Sequence, residues 1–245
     1  MQQEIFSRSE RLLGVAGMER LRSLRAIVFG VGGVGSWVAE ALVRTGVVHV
    51  TIVDSDNVAV SNINRQLPAT TLTVGQPKVE ALKQHLLEVN PEAQITALNM
   101  IYSAENAPMF ELENYDCIVD CIDSLEHKTA LILHATSLSA KFYSSMGAAL
   151  KMDPTRIQVA EFWKVKGCPL AAALRRRIKK KGTFPKKKFK CVFSEELLEN
   201  RADTEVSVGG TWDAQKAQIN GSLMHITAIY GLTLAGLIIQ DIYNG

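Results

Sequence analysis

The feature that most constrains the fold is a glycine cluster, GVGGVG (30–35), between an apolar run and a helix-like stretch. Residues 25–29 before the cluster are mostly apolar, and a second apolar run at 49–53 leads into Asp54. Glycines at this spacing allow a tight turn whose backbone N–H groups approach phosphates at a helix N-terminus, and the acid can hold ribose hydroxyls. The pattern therefore predicts a strand, turn, helix and strand that bind a nucleotide.

The rest of the chain repeats this alternation of apolar runs and helix-like stretches. Further strands are predicted at 94–100, 116–122, 141–144, 157–162 and 191–193, and helices at 78–89, 124–139 and 169–180. Apolar strands without alternation are typical of a parallel sheet covered by helices on both faces, whereas 157–162 alternates as an antiparallel strand does. We therefore predict an α/β fold with a doubly wound, Rossmann-like, mainly parallel sheet, extended by C-terminal strands and helices.

One domain accommodates this pattern, because 245 residues with 47% hydrophobic content suffice for a single core. Within residues 1–245 we expect a helical N-terminal arm (1–24), a nucleotide-binding core (25–163), a basic helix with a mobile loop (164–200), and a C-terminal region with a helix (201–245). The four cysteines form no CxxC pair, so a tetrathiolate zinc site is not expected.

Both ends of the chain bear on where the protein works. The N-terminus, MQQEIFSRSER, lacks the apolar segment of a secretory signal, so we expect a cytoplasmic protein. Residues 217–240 carry no charge, which raises the question of a membrane span. Polar residues interrupt that stretch and small residues recur in it, so we expect a helix packed inside the protein or across a dimer interface, without membrane association.

Positive charge is concentrated in one segment. The segment 175–190 contains ten basic residues and no acidic one, so the other 17 basic residues face 25 acidic ones. The basic residues are Arg175, Arg176, Arg177, Lys179, Lys180, Lys181, Lys186, Lys187, Lys188 and Lys190. Clustered cations favour a nucleic-acid partner, and Phe184 and Phe189 could stack on exposed bases; the alternative is a solvated, mobile loop.

Residues just past Asp54 favour ATP over a nicotinamide cofactor. Asn62, Arg65 and Gln66 follow closely, and Lys78 adds a second cation. A guanidinium makes forked hydrogen bonds to phosphate and compensates charge that develops as pyrophosphate departs. A dehydrogenase has no evident need for these residues, although an NAD-binding oxidoreductase stays open as an alternative of another class.

A further acid, Asp123, ends the fourth predicted strand, at the edge where doubly wound sheets place ligand groups. A carboxylate there suits Mg²⁺, which prefers one or two carboxylates together with phosphate oxygens and water. Capping of the following helix is a compatible role for this segment.

These motifs together resemble the ThiF/MoeB-like superfamily of adenylating enzymes related to ubiquitin-activating E1 proteins. The matching segments are GVGGVGS (30–36), VDSDNVAVSNINRQ (53–66), VGQPKVE (74–80) and CIDS (121–124). The resemblance implies phosphate contact by Gly30, Gly32, Gly33 and Gly35, ribose binding by Asp54, phosphate binding by Asn62, Arg65 and Lys78, Mg²⁺ coordination by Asp123, and ATP contact by Asp56 and Gln66. It also implies a homodimer in which Arg11, in RSERLLG (8–14), reaches the ATP of the partner subunit and acts with Arg65, Lys78 and Asp123 in catalysis.

The second half of the chain points to one branch of this superfamily. NRQLPA (64–69), KCVFSEE (190–196) and the long segment 152–182 resemble the tRNA threonylcarbamoyladenosine dehydratase group of the TcdA/CsdL type. That resemblance implies ATP-dependent cyclisation of N6-threonylcarbamoyladenosine (t6A) in tRNA through an adenylated carboxylate. It adds Na⁺ or K⁺ as a candidate cofactor, and a cysteine desulfurase or sulfur-acceptor protein as a candidate partner.

A second activity within the superfamily is adenylation of the C-terminal glycine of a ubiquitin-like sulfur carrier. The absence of paired CxxC motifs makes this branch the weaker match. A cysteine of the dehydratase group is also missing from QINGS (218–222), so a covalent thioester step is not supported. Cys117, Cys121 and Cys191 are expected to be core residues.

Overall fold

A computed structural model describes residues 2–201 and 220–244. Its strands form one seven-stranded sheet in the order β3-β2-β1-β4-β5-β7-β6. The strands are β1 (Arg25–Phe29), β2 (His49–Val53), β3 (Gln94–Leu98), β4 (Cys117–Asp120), β5 (Lys141–Ser145), β6 (Ile157–Glu161) and β7 (Lys190–Ser194). The helices are α1 (Gln2–Ile5), α2 (Ser7–Ser23), α3 (Gly35–Thr45), α4 (Lys78–Val89), α5 (Leu125–Ala135), α6 (Pro169–Lys181) and α7 (Met224–Tyr243).

The predicted mainly parallel sheet is confirmed. All neighbouring strands run parallel except β6, which pairs antiparallel with β7, as the alternation in its sequence predicts. Phe29 is in register with Val53 on one side and Asp120 on the other. The strand order reverses between β1 and β4, so their carboxyl ends open the crevice in which such folds bind ligands.

Helices cover both faces of the sheet, which explains why the central strands are apolar throughout. One core packs α2, α3, α4 and α7 against the sheet, and a second core packs α5 and α6 against the opposite face. Strands β1, β2 and β4 contribute alternate residues to each core. Alternation is absent from their sequences because each face is buried.

The uncharged C-terminal segment forms α7, which is buried against α3. A Cβ atom at Gly231 would lie 2.5 Å from the Val34 carbonyl oxygen, so glycine is what lets the two helices approach. This helix is long and apolar enough to cross a membrane, but 44% of its apolar window is buried in the protein. Its contacts with α2 and α3 agree with the prediction that this helix packs inside the protein. Residues 202–219, including part of the predicted C-terminal region, lie outside the described residues.

Some predicted boundaries differ from the observed ones. The predicted helix 124–139 ends at Ala135, where the Thr136 hydroxyl donates to the Ile132 carbonyl and competes with further helical bonding. Strand β4 covers only residues 117–120 of the predicted 116–122, because the chain turns immediately after Asp120. That turn forms part of the site.

Candidate active site

The glycine turn between β1 and α3 is closely packed. Gly30 has φ +81°, and a Cβ atom on it would lie 2.7 Å from the Cys121 carbonyl oxygen. A Cβ atom on Gly35 would lie 1.9 Å from the Gly30 carbonyl oxygen. Side chains are therefore excluded at both positions, and α3 starts at Gly35 directly behind the turn. This places a helix N-terminus at the carboxyl edge of the sheet, as phosphate binding requires.

Asp54 connects this turn to the end of β2. One carboxylate oxygen accepts the Val31 N–H at 2.9 Å, and the other accepts the Asp56 N–H at 2.9 Å. Burial raises the pKa of Asp54, while the charge of Lys78 opposes that rise. The carboxylate is thus fixed beside the glycine turn, where the sequence predicts a ribose-binding acid.

Arg65 lies above α3 and next to the glycine turn. Its Nη1 donates to the Ser61 carbonyl and to Asn64 Oδ1, each at 2.9 Å. The Trp37 indole donates to the Arg65 carbonyl at 3.4 Å, and a Cβ atom on Gly33 would lie 3.4 Å from Arg65 Cγ. The guanidinium is therefore held by oxygen acceptors close to the glycine turn rather than buried in the core.

The two amides of this motif have different surroundings. Asn62 Oδ1 accepts the Ala59 N–H at 3.0 Å and so stabilises the local turn. Gln66 is buried, and its Nε2 would lie 3.5 Å from a Cβ atom on Gly32. Among the described residues no partner is found for the buried Gln66 Oε1. A polar ligand at the glycine turn would supply that missing partner, since buried acceptors rarely stay unpaired.

Lys78 is the first residue of α4 and is buried. Its Nζ lies 2.7 Å from Asp56 Oδ2, and its backbone N–H donates to the Asp56 carbonyl. Asp56, predicted to contact ATP, thus anchors the lysine predicted to contact phosphate. The lysine is held near Asp54 as well, because its charge acts on the pKa of that carboxyl.

Asp123 follows β4 on the exposed surface of the same edge. The preceding peptide touches the glycine turn, since a Cβ atom on Gly30 would lie 3.1 Å from the Ile122 N atom. No cluster of three or more His, Cys, Asp or Glu side chains suited to a metal occurs among the described residues. A single carboxylate beside a phosphate site still fits Mg²⁺, whose remaining ligands are phosphate oxygens and water.

The buried ion pair that Asp120 forms with Lys128 was not predicted from the sequence. Lys128 Nζ lies 2.8 Å from Asp120 Oδ2, and both side chains are fully buried. Ser144 donates to the same carboxylate oxygen at 2.7 Å. Burial raises the pKa of Asp120, and Lys128 opposes that rise. The only sequence signal was a charged residue in the apolar pattern of β4.

Arg11 lies apart from these residues. It belongs to α2, which packs against α7, and no hydrogen bond or ion pair among the described residues links Arg11 to the glycine turn. The neighbouring apolar side chains Leu12 and Val15 are exposed, as is Arg11 itself. The chain alone does not bring this arginine to the nucleotide site.

The basic segment divides into engaged and exposed side chains. Arg175 donates to the Phe162 and Val165 carbonyls, Lys187 donates to the Leu138 and Ala140 carbonyls, and Lys190 is paired with Asp241. Arg177 lies 3.6 Å from Glu126. The exposed residues are Arg176, Lys179, Lys180, Lys181, Lys186 and Lys188, with Lys164 and Lys166 nearby in the chain.

One predicted aromatic contact is wrong. Phe189 is buried and stacks on Phe162 with ring centroids 5.1 Å apart, so it cannot meet a base. Phe184 is exposed and lies 6.1 Å from the ring of Trp163, which is also exposed. Trp163 carried no functional signal in the sequence, because its exposure depends on packing.

Cys117, Cys121 and Cys191 are poorly suited to nucleophilic chemistry. Cys117 and Cys191 are buried, and burial raises the pKa of both thiols and that of Cys121. A thiol with a raised pKa is a poor nucleophile at neutral pH. The expectation that these three are core residues is confirmed by their contacts with the two cores.

Comparison with known proteins assigns the chain to a family. Residues 6–242 match the model of the ThiF family. The chain belongs to the ThiF family. It is 37% identical to the tRNA threonylcarbamoyladenosine dehydratase of Bacillus subtilis over 97% of this chain and 94% of that protein. It is 36% identical to the Escherichia coli enzyme of the same name over 79% of this chain and 74% of that one.

Solved structures extend the comparison of this ThiF-family chain. A crystal structure of the E. coli tRNA N6-threonylcarbamoyladenosine dehydratase TcdA in complex with AMP matches with a TM-score of 0.88 and 31% identity, covering 99% of this chain and 95% of that one. The complex of the same enzyme with ATP matches with a TM-score of 0.86 at 30% identity. The molybdopterin-synthase adenylyltransferase of E. coli is 35% identical, but over only 56% of this chain.

Proposed function

We propose that this protein is an ATP-dependent tRNA threonylcarbamoyladenosine dehydratase, which converts t6A at position 37 of tRNA to its cyclic form. The observation that carries the proposal is the similarity to enzymes of that name along nearly the full length of both chains. The geometry agrees with it, because one edge of the sheet holds a phosphate turn, a fixed acid, an arginine and a lysine.

The reaction needs a carboxylate to become an electrophile. The t6A carboxylate attacks the α-phosphorus of ATP, forming an acyl adenylate and expelling pyrophosphate. A nucleophile within the same modification then attacks the acyl carbon, closing the ring and expelling AMP, which retains the oxygen lost from the carboxylate. The modified adenosine thereby loses one water, and the reaction does not require a nucleophile from the protein.

The residues of the site contribute binding, orientation and charge. The glycine turn holds phosphates with its backbone N–H groups, and Asp54 holds the ribose. Arg65 and Lys78 stabilise the charge of the departing pyrophosphate, as positioned cations do in phosphate chemistry. Asp56 keeps Lys78 in place through the 2.7 Å ion pair. Asn62 supports the turn that carries Arg65, and Gln66 offers its buried amide to the ligand.

Asp123 is the residue that would hold Mg²⁺. The ion would neutralise phosphate oxygens and supply charge stabilisation beside Arg65. A monovalent cation, Na⁺ or K⁺, is a further candidate cofactor on the resemblance.

For tRNA binding we propose the exposed cations of α6 and the following loop. Arg176, Lys179 and Lys180 can neutralise phosphates, whereas Arg175 positions the turn that carries Trp163. Phe184 and Trp163 replace the predicted pair of phenylalanines as stacking partners for bases. A cytoplasmic location follows from this substrate.

We further propose a homodimer in which Arg11 of one subunit acts at the ATP of its partner. The exposed apolar residues Leu12 and Val15 support this, because a helix that displays them beside an arginine is suited to contact a second copy. A cysteine desulfurase or sulfur-acceptor protein remains a candidate partner on the resemblance alone.

The deciding experiment is mass spectrometry of nucleosides from t6A-containing tRNA incubated with the protein, ATP and Mg²⁺. We expect t6A to lose one water as AMP and pyrophosphate appear in equal amounts. Unchanged t6A with intact ATP binding would contradict the proposal. Pyrophosphate exchange that depends on a ubiquitin-like carrier would then favour carrier adenylation, and binding of NAD in place of ATP would favour an oxidoreductase.

Arg65→Ala provides the internal control for that experiment. We expect turnover to fall about 10²- to 10³-fold, because a cation aimed at developing phosphate charge is removed. Thermal unfolding should be unchanged, since the guanidinium bonds only to surface acceptors. Arg22→Ala, an exposed arginine of α2, is the matched control and should keep full activity. Full activity of Arg65→Ala would disprove the role given to Arg65.

A further inference from the structure

The buried ion pair of Asp120 and Lys128 is formed by residues on either side of Asp123 in the chain. Asp120 is the last residue of β4, Lys128 belongs to the first turns of α5, and neither side chain is exposed. Removing two charges from water is costly, and such a pair is weak evidence for stability, because apolar residues of similar volume often serve as well. The position of the pair therefore calls for a role other than stability.

The side chain of Lys128 fixes the backbone just before Asp123. Its Nζ donates to the Ile122 carbonyl at 3.0 Å, while its backbone N–H makes the ordinary first helical bond of α5, to the Ser124 carbonyl. Asp120 holds the same turn from within, because its Oδ1 accepts the Ile122 N–H at 3.1 Å. Asp123 thus directly follows a residue, Ile122, whose N–H is held by Asp120 and whose carbonyl is held by Lys128.

The same turn is attached to the phosphate-binding glycines. The Cys121 N–H donates to the Phe29 carbonyl at 2.8 Å, just before Gly30. A Cβ atom on Gly30 would lie 2.7 Å from the Cys121 carbonyl oxygen, so the two turns are in direct contact. Ser144 completes the group by donating to Asp120 from the neighbouring strand β5. A displacement of the turn would move Asp123 relative to the phosphates.

We propose that the buried Asp120 and Lys128 pair positions Asp123 to hold magnesium at the phosphates of ATP. The proposal rests on the proposed function, which places ATP and Mg²⁺ at this edge. Lys128 touches neither ATP nor the reacting atoms and is a positioning residue. The pair acts through Ile122 in the turn 121–124, whose N–H donates to Asp120 and whose carbonyl accepts from the Lys128 side chain.

The test separates positioning from stability. Lys128→Met alone leaves a buried carboxylate without its partner and is expected to lower the melting temperature. Asp120→Asn with Lys128→Met removes both charges, while the asparagine Oδ1 can still accept the Ile122 N–H. We expect this double variant to regain the melting temperature of the wild type but to need about 10- to 100-fold more Mg²⁺, as when supports of a metal ligand are removed.

Two readouts are measured on the full-length protein. The first is ATP binding by calorimetry with and without Mg²⁺, and the second is the Mg²⁺ concentration that gives half-maximal turnover of t6A tRNA. Affinity for ATP without Mg²⁺ should stay within about twofold of the wild type, because the removed hydrogen bonds act on the metal ligand. Glu40→Gln with His85→Gln removes a different paired group between two helices and is the matched control, with unchanged Mg²⁺ dependence.

The variant Asp123→Asn distinguishes failure of the positioning role from failure of the magnesium role. It should give the same Mg²⁺ defect, and combining it with the double variant should add nothing further if the pair acts through Asp123. A folded double variant with normal Mg²⁺ dependence, beside a defective Asp123→Asn, would overturn the positioning role alone. Normal Mg²⁺ dependence of Asp123→Asn would instead overturn the magnesium role assigned under the proposed function, and this inference with it.

Discussion

Gly30 shows how a single residue connects the two halves of the site. Its φ of +81° suits a residue without a side chain, and the space where a Cβ atom would lie is filled by the Cys121 carbonyl. The phosphate turn after β1 and the turn after β4 are therefore packed backbone to backbone. Any side chain at this position would separate the glycine turn from the segment that carries Asp123.

Gly30→Ala is expected to destabilise the protein more than Gly75→Ala does. Both glycines have positive φ, +81° and +89°, so each alanine costs about 1–2 kcal/mol of backbone strain. Only Gly30 adds a clash, because nothing lies within 4 Å of a Cβ atom on Gly75. Chemical denaturation would measure the difference, and calorimetry should show weaker ATP binding for Gly30→Ala alone. Equal losses of stability would contradict the packing argument.

At the scale of elements, α3 and α4 are joined by an ion pair beneath the nucleotide edge. Glu40 of α3 accepts from Arg44 of its own helix and lies 3.0 Å from His85 of α4. Burial raises the pKa of Glu40, but the hydrogen bonds from His85 and Arg44 outweigh burial and lower it overall. The hydrogen bond to Glu40 raises the pKa of His85 above 6.5, against the effect of burial.

This pair predicts a defined pH dependence of stability. The stabilisation from charged His85 is fully present below pH 6.5 and is lost as the pH rises through the raised pKa of His85. The contribution of Glu40 is lost at the other end, as the pH falls through its lowered pKa. The unfolding free energy of the wild type should exceed that of His85→Gln by at most about 1 kcal/mol near pH 5.5, since the ring is partly exposed. The difference should vanish at about pH 9. Urea denaturation at both pH values, with Lys83→Gln as the control, would measure it. A difference in unfolding free energy that is the same at both pH values would show that the pair is not involved.

Helix α6 is a second element whose faces differ in use. Leu174 and Ile178 are buried in the core, Arg175 donates to backbone carbonyls, and Arg176 and Lys179 are exposed. Only the exposed side chains can release counterions when tRNA binds. The number of basic residues in α6 is therefore larger than the number of phosphates that the helix can neutralise.

Arg176→Gln with Lys179→Gln should weaken tRNA binding and flatten its salt dependence. The slope of the logarithm of affinity against the logarithm of salt should fall by about 0.9 for each phosphate that is no longer neutralised. Filter binding or fluorescence anisotropy over a range of salt concentrations would measure it. Arg22→Gln with Lys83→Gln removes the same charge elsewhere and should leave the slope unchanged. An identical slope in both double variants would mean that α6 does not contact the tRNA backbone.

At the scale of the whole molecule, the nucleotide edge and the N-terminal arm are separate. The arm packs through α2 on α7, while the predicted ATP ligands gather at the carboxyl ends of β1, β2 and β4. In a symmetric dimer every contact between the subunits occurs twice, so the arm of each subunit can lie at the nucleotide edge of the other.

Mixing two impaired variants tests this assembly. Arg11→Ala and Arg65→Ala should each lose at least about 100-fold of the turnover when alone, but a mixed dimer contains one site with its own Arg65 and an intact Arg11 from the partner. We expect co-expression of the two variants to restore partial t6A turnover, with light scattering reporting a dimer. A monomer in solution, or no recovery in a confirmed mixed dimer, would rule out an arginine supplied by the partner subunit.

The sheet, the glycine turn and the position of Asp54 could all be predicted from the order of the amino acids. Those features depend on local rules: apolar runs buried on both faces, glycines at positions of positive φ or close approach, and an acid one strand later. The family motifs likewise lie in short continuous segments. The boundaries of the elements were predicted less accurately, as the end of α5 at Ala135 shows.

Which charged and aromatic residues are available to a ligand depends on how the elements pack in three dimensions. Lys128 resembles any helical lysine in the sequence, yet it is fully buried against Asp120. Lys187 resembles its neighbours in the basic run, yet it donates to carbonyls just before β5, and Phe189 stacks in the core. These assignments depend on partners far away in the chain, because burial and hydrogen bonding are set by which elements pack together.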